Sequence, residues 1–98
     1  MIPQPVRISH LNGLREYVYE TICHHEQLEL GVFQMTERIL LRGGKPCGIH
    51  FCLHGPRSVK LTAIWETIRN TILFYRATGE RFEKTHLTEA PHLASVPT

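Results

Sequence analysis

The apolar residues of this chain follow two periodicities, and the change from one to the other falls near Gly31. Leu11, Leu14, Val18, Ile22 and His25 recur at steps of three and four, and the series extends to Leu28. This is the apolar stripe of an amphipathic helix. Ser9 is the expected N-cap, with Asn12 as the alternative, and Gly31 is the expected left-handed stop. Gly13 weakens the first turn, and the pattern predicts one helix over residues 10–30.

Beyond Gly31 the period falls to two, as in strands with one buried face. Residues 35–42 can alternate, although they would also suit a short helix, and Gly43-Gly44 then makes a tight hairpin turn. A second strand, 46–54, ends at His54-Gly55-Pro56. Strand 58–66 turns inward Val59, Leu61, Ala63 and Trp65, which makes Trp65 a core residue. Strand 70–77 is rich in β-branched and aromatic side chains, and Thr78-Gly79 leads into a last strand, Arg81–His86. If Glu66 faces Thr71 across the turn 67–70, then Trp65 pairs with Ile72 and Ala63 with Phe74 on the core side. Ile64 with Leu73 and Thr62 with Tyr75 then pair on the opposite side.

The predicted fold is α+β, one N-terminal helix packed on an antiparallel meander sheet of four or five strands. Residues 1–8, with two prolines, are expected to run extended, 9–87 to form a single α+β domain, and 88–98 to be a disordered tail. One helix covers one face of such a sheet. The other keeps Ile64, Leu73, Tyr75 and Thr62, and an apolar surface left without a cover implies a protein partner or a second copy.

Composition narrows the function. Ninety-eight residues build one domain with a thin core, too small for a deep, many-walled active site, so no enzyme and no cofactor are expected. No apolar run approaches the roughly 20 residues that span a bilayer, so no membrane partner is expected. Met1–Arg7 has no apolar h-region, and three cysteines without a CxxC pair do not form a disulfide framework; both favour a reducing cytoplasm.

Charge is unevenly placed. Residues 9–31 hold four glutamates against Arg15, whereas 38–84 hold nine Arg or Lys against three glutamates. The set Arg57, Lys60, Arg76 and Arg81, with Arg69, Lys84, Tyr75 and Phe82, has the ingredients of a nucleic-acid platform, although no RNP-like pattern is present. The plainer reading is edge charge that discourages aggregation. Pairing of these cations with the helix glutamates would decide against a positive face. Arg76 shares parity with Ile72 and Phe74 and could cap the core edge or meet such a glutamate.

Residues His50, Cys52 and His54 share one side of their strand, opposite Ile49, Phe51 and Leu53. Imidazole and thiolate suit zinc, and Cys23, His24 or His25 could complete a tetrahedron, but the spacing matches no established motif. A Cys52–histidine nucleophile lacks an orienting carboxylate. Gly43-Gly44-Lys45-Pro46 lacks P-loop spacing. His24 and His25 are explained by the helix C-terminal dipole, and His25 by packing on the stripe. The stretch His54–Phe82 resembles part of a compact bacterial domain, which implies no activity. The function expected is therefore a small cytoplasmic, non-catalytic protein-interaction or self-associating module that uses its open sheet face. Nucleic-acid binding through the basic residues and metal binding through the His50, Cys52, His54 row are the alternatives.

Overall fold

The computed structural model describes residues 6–89 and 91. Helix α1 (Leu11–Glu26) is followed by β1 (Gln34–Arg42), β2 (Lys45–His54), a 3-10 turn (Pro56–Ser58), β3 (Lys60–Glu66), β4 (Thr71–Tyr75) and β5 (Arg81–His86). The five strands form one antiparallel sheet in the order β1-β2-β3-β4-β5, the predicted meander. Among the described residues no helix is long and apolar enough to cross a membrane.

The helix is shorter than its periodicity suggests, and both ends are capped by other residues than expected. His10, not Ser9 or Asn12, is the N-cap: its backbone is extended and its Nδ1 accepts the Gly13 N–H at 3.0 Å. A Cβ on Gly13 would lie 3.1 Å from the His10 ring, so the glycine makes room for this cap. At the other end Gln27 takes the left-handed conformation (φ 55°), and Leu28 donates to the Cys23 carbonyl at 2.8 Å. That arrangement ends the helix before Gly31 is reached, and Leu28 packs back onto the core. Gly31 is left-handed too, but it serves the connection to β1, where Tyr19 Oη accepts its N–H and donates to the Phe33 carbonyl.

Residues 34–42 are a strand rather than a helix, closed onto β2 by Gly43 and Gly44, both at positive φ as a I′ hairpin turn requires. The predicted β3–β4 register holds at every pair: Glu66–Thr71, Trp65–Ile72, Ile64–Leu73, Ala63–Phe74 and Thr62–Tyr75. Both strands are shorter than predicted. Ser58 belongs to the 3-10 turn, and the positive φ of Asn70 (50°) keeps it in the turn before β4.

The core lies between α1 and the sheet. Leu14, Val18, Ile22 and Cys23 from the helix meet Ile49, Phe51, Leu53, Leu61, Ala63, Trp65, Ile72 and Phe74, all essentially buried. Polar and aromatic contacts pin the helix at both strand edges. Arg15 holds Glu37 of β1 through two hydrogen bonds, and its guanidinium pKa rises chiefly because of the hydrogen bond to that carboxylate. At the other edge Tyr17 Oη meets Thr85 Oγ1 at 3.2 Å, and the His25 ring stacks on Phe82 with centroids 3.6 Å apart. His25 thus packs one ring face on Phe82 while the residue stays exposed.

The segments flanking the domain meet beside β5. Val6 donates to the His86 carbonyl, Thr88 donates to Val6, and Arg7 pairs with Glu89 at 2.8 Å. Most of the expected tail, 88–98, and most of the extended segment, 1–8, lie outside the described residues.

Candidate functional site

Because α1 lies on one side of the sheet, the alternate residues of every strand face away from it. Register orders them into rows. One row runs Arg38, His50, Ile64, Leu73, Lys84 from β1 to β5; the next runs Thr36, Cys52, Thr62, Tyr75, Arg81; a third begins Gln34, His54, Lys60. The centre of this open face is therefore apolar and aromatic, β2 carries imidazole and thiol, and cations stand on both edge strands. Ile64, Leu73, Tyr75 and Thr62 come together as two neighbouring cross-strand pairs, each residue half-buried. The most exposed large apolar side chains lie elsewhere: Leu30 and Val32 before β1, Ile39 and Leu41 on β1, and Ile68 in the β3–β4 turn.

The basic residues divide by position. In an antiparallel meander the β2–β3 and β4–β5 connections lie at the same end of the sheet. Arg57 and Arg76 sit in those connections, and Lys60 and Arg81 open the strands that follow, so the four gather at one end. Glu80 lies in the same β4–β5 connection. Arg69 is at the opposite end, where its N–H donates to Glu66 Oε2 at 3.0 Å. Arg76 neither caps the core edge nor meets a helix glutamate: it is exposed, and its N–H donates to the Glu80 carbonyl. Arg38 was not a candidate from sequence, because residues 35–42 were ambiguous between strand and helix; once they form β1, its parity puts it opposite His50.

The acids do not neutralise these cations. Among the described residues the ion pairs are Arg7–Glu89 and Arg15–Glu37, with His25 Nε2 3.7 Å from Glu26 Oε2, and none of these contacts includes Arg38, Lys60, Arg81 or Lys84. Glu16, Glu20 and Glu26 ride on α1, and Glu37 reaches toward the helix. The helix glutamates thus lie on the side away from the open face, which carries one acid of its own, Glu66, at the end opposite Lys60 and Arg81.

His50, Cys52 and His54 do share the open face, and His54 Nε2 meets Thr36 Oγ1 at 3.0 Å. Cys23, however, is buried beneath α1 on the other side of the sheet, so the helix residues cannot complete a ligand set with this row. Among the described residues no group of three or more His, Cys, Asp or Glu side chains is placed to hold a metal ion. No hydrogen bond among them joins Cys52 to either histidine. Beside the helix, a groove of about 570 Å³ is lined by Tyr17, Glu20, Cys23, His24 and Glu83 among others. Burial pushes the Cys23 thiol up, against a smaller opposing effect of the Tyr19 hydroxyl, so it is a poor nucleophile there. Set against known proteins, the chain matches no family model, no curated protein and no solved structure.

Proposed function

We propose that this protein is a non-catalytic binding module whose open sheet face receives a partner carrying negative charge. One observation carries the reading: the face presents Arg38, Lys60, Arg81 and Lys84 around a half-buried apolar centre, and none of the four is in an ion pair among the described residues. A charged rim around an apolar centre suits recognition of another molecule. The same charge weighs against self-association through this face. A two-fold dimer sets a patch against its own copy, so four cations would meet four cations. The three cysteines are unpaired, which supports a cytoplasmic setting.

Light scattering across a concentration series, with heparin chromatography beside it, tests the reading. The expected result is a monomer that heparin retains at low salt, with earlier elution for the Arg38→Gln, Lys84→Gln double variant. A dimer that Leu73→Glu disperses would overturn it in favour of a second copy on the face.

A further inference from the structure

We infer that the negatively charged partner is single-stranded nucleic acid laid across the open face, an inference that rests on the reading just proposed and narrows its partner. Charge alone would admit any polyanion, and the groups between the cations make the distinction. Tyr75 stands between Thr62 and Arg81 in the cross-strand row, and His50 stands between Arg38 and Ile64 in the adjacent one. Rings of this kind give nucleobases a flat surface to stack on, while Arg and Lys hold the phosphates. A polyglutamate chain, which carries no ring, gains nothing from such a stacking surface.

The shape of the face selects the single strand. Four steps between neighbouring strands, about 4.8 Å each, separate Arg38 on β1 from Lys84 on β5 by about 19 Å. The major groove of duplex DNA is about 12 Å wide and admits a helix or a two-stranded ribbon, not a face of five strands. Bases must therefore come to the sheet, and an unpaired strand can present them. A path of that length suits the short end of known site sizes, on the order of four nucleotides. Arg57 and Arg76, in the connections beside Lys60 and Arg81, extend the cationic path past the end of the sheet. Stacking and phosphate contact carry little sequence information, so binding is expected to tolerate sequence.

Fluorescence anisotropy with labelled 12-nucleotide DNA and RNA of mixed sequence provides the test, with the matching duplex and polyglutamate as competitors. Single strands should bind at low salt and compete better than duplex or polyglutamate. The slope of log affinity against log salt should not exceed about 0.7 × 6, or 4.2, in magnitude, and the Arg38→Gln, Lys84→Gln pair should lower it by about 1.4. Tyr75→Leu keeps the apolar bulk and should weaken binding at least fivefold by about the lower limit for one stacked base, with the salt slope unchanged. Tyr75→Phe should bind like the parent. If polyglutamate competes equally and Tyr75→Leu has no effect, the partner is an acidic protein segment; the inference falls and the binding-face reading stands. If neither polymer binds at low salt, both fall.

Discussion

Asn70 joins the core, the β3–β4 turn and the segment after β5, and its replacement by alanine should be among the costliest single changes in the protein. Its Oδ1 accepts the Trp65 Nε1–H at 2.9 Å, its Nδ2 donates to the carbonyls of Glu89 at 2.9 Å and Leu87 at 3.3 Å, and its own carbonyl accepts the Leu87 N–H. Trp65 is fully buried, and no buried side-chain nitrogen or oxygen among the described residues lacks a partner. Asn70→Ala would leave the indole N–H without one, at a cost of about 1–3 kcal/mol. Alanine must also hold the left-handed conformation of φ 50° that asparagine tolerates, which adds about 1 kcal/mol. The sum is about 2–4 kcal/mol, and for a domain of this size each kcal/mol lowers Tm by about 4–8 °C. Thermal melts followed by near-UV circular dichroism should therefore show a fall of at least about 8 °C.

Asn70→Gly, which relieves the backbone but still removes the acceptor, should recover roughly 1 kcal/mol of the loss. The cycle with Trp65→Phe isolates the bond itself, since the phenyl ring has no N–H to strand. In that background Asn70→Ala should cost markedly less. A cycle that is additive within about 0.5 kcal/mol would refute the assignment of the penalty to the buried indole.

Two other substitutions probe the β2–β3 ladder and the buried thiol. A Cβ on Gly48 would intrude on the Trp65 carbonyl oxygen and come within 3.3 Å of the Glu66 Cα, so Gly48→Ala must push β2 and β3 apart. It should cost about 1–3 kcal/mol in urea unfolding, and a variant as stable as the parent would mean the ladder yields freely. Cys23 should resist thiol reagents in the native state while Cys47 and Cys52, which are less buried, react first. Because the folded state raises the Cys23 pKa, its contribution is intact below the thiol range of the unfolded chain, near about 8.5, and is lost as the pH rises through and above it. Urea midpoints at pH 7 and 10 should draw closer together in Cys23→Ala, and an unchanged gap would exclude this thiol as a cause of alkaline loss.

The meander and its register were legible because alternation fixes them strongly: a slip by one residue would turn Trp65, Ala63 and Leu61 out of the core together. The glycine pair at 43–44 was equally explicit. What sequence misplaced were the helix ends, where the deciding events are individual hydrogen bonds. An imidazole nitrogen at His10 substitutes for a hydroxyl cap, and a glutamine takes the left-handed site four residues before the obvious glycine. Of the candidate site, the apolar pairs Ile64–Leu73 and Thr62–Tyr75 followed from parity alone. The grouping of Arg57, Lys60, Arg76 and Arg81 at one end depends on which connections share that end, and the membership of Arg38 depends on β1 being a strand. Neither is encoded in the local pattern.

The open face also has a property that makes its role separable from its contribution to folding. The parity that buries Leu61, Ala63 and Trp65 sends Lys60 outward, and pairing with the neighbouring strands sends Arg38, Arg81 and Lys84 to the same side. All four are exposed, and the ion pairs that fasten the described structure use other residues. Surface side chains without such bonds contribute within about 0.5 kcal/mol to stability, so their neutralisation should leave the fold nearly untouched. Four like charges on one face also raise the local positive potential, which draws an anionic partner. Loss of binding without loss of Tm in Arg38→Gln, Lys84→Gln is therefore the outcome that a binding face requires and that incidental edge charge would not produce.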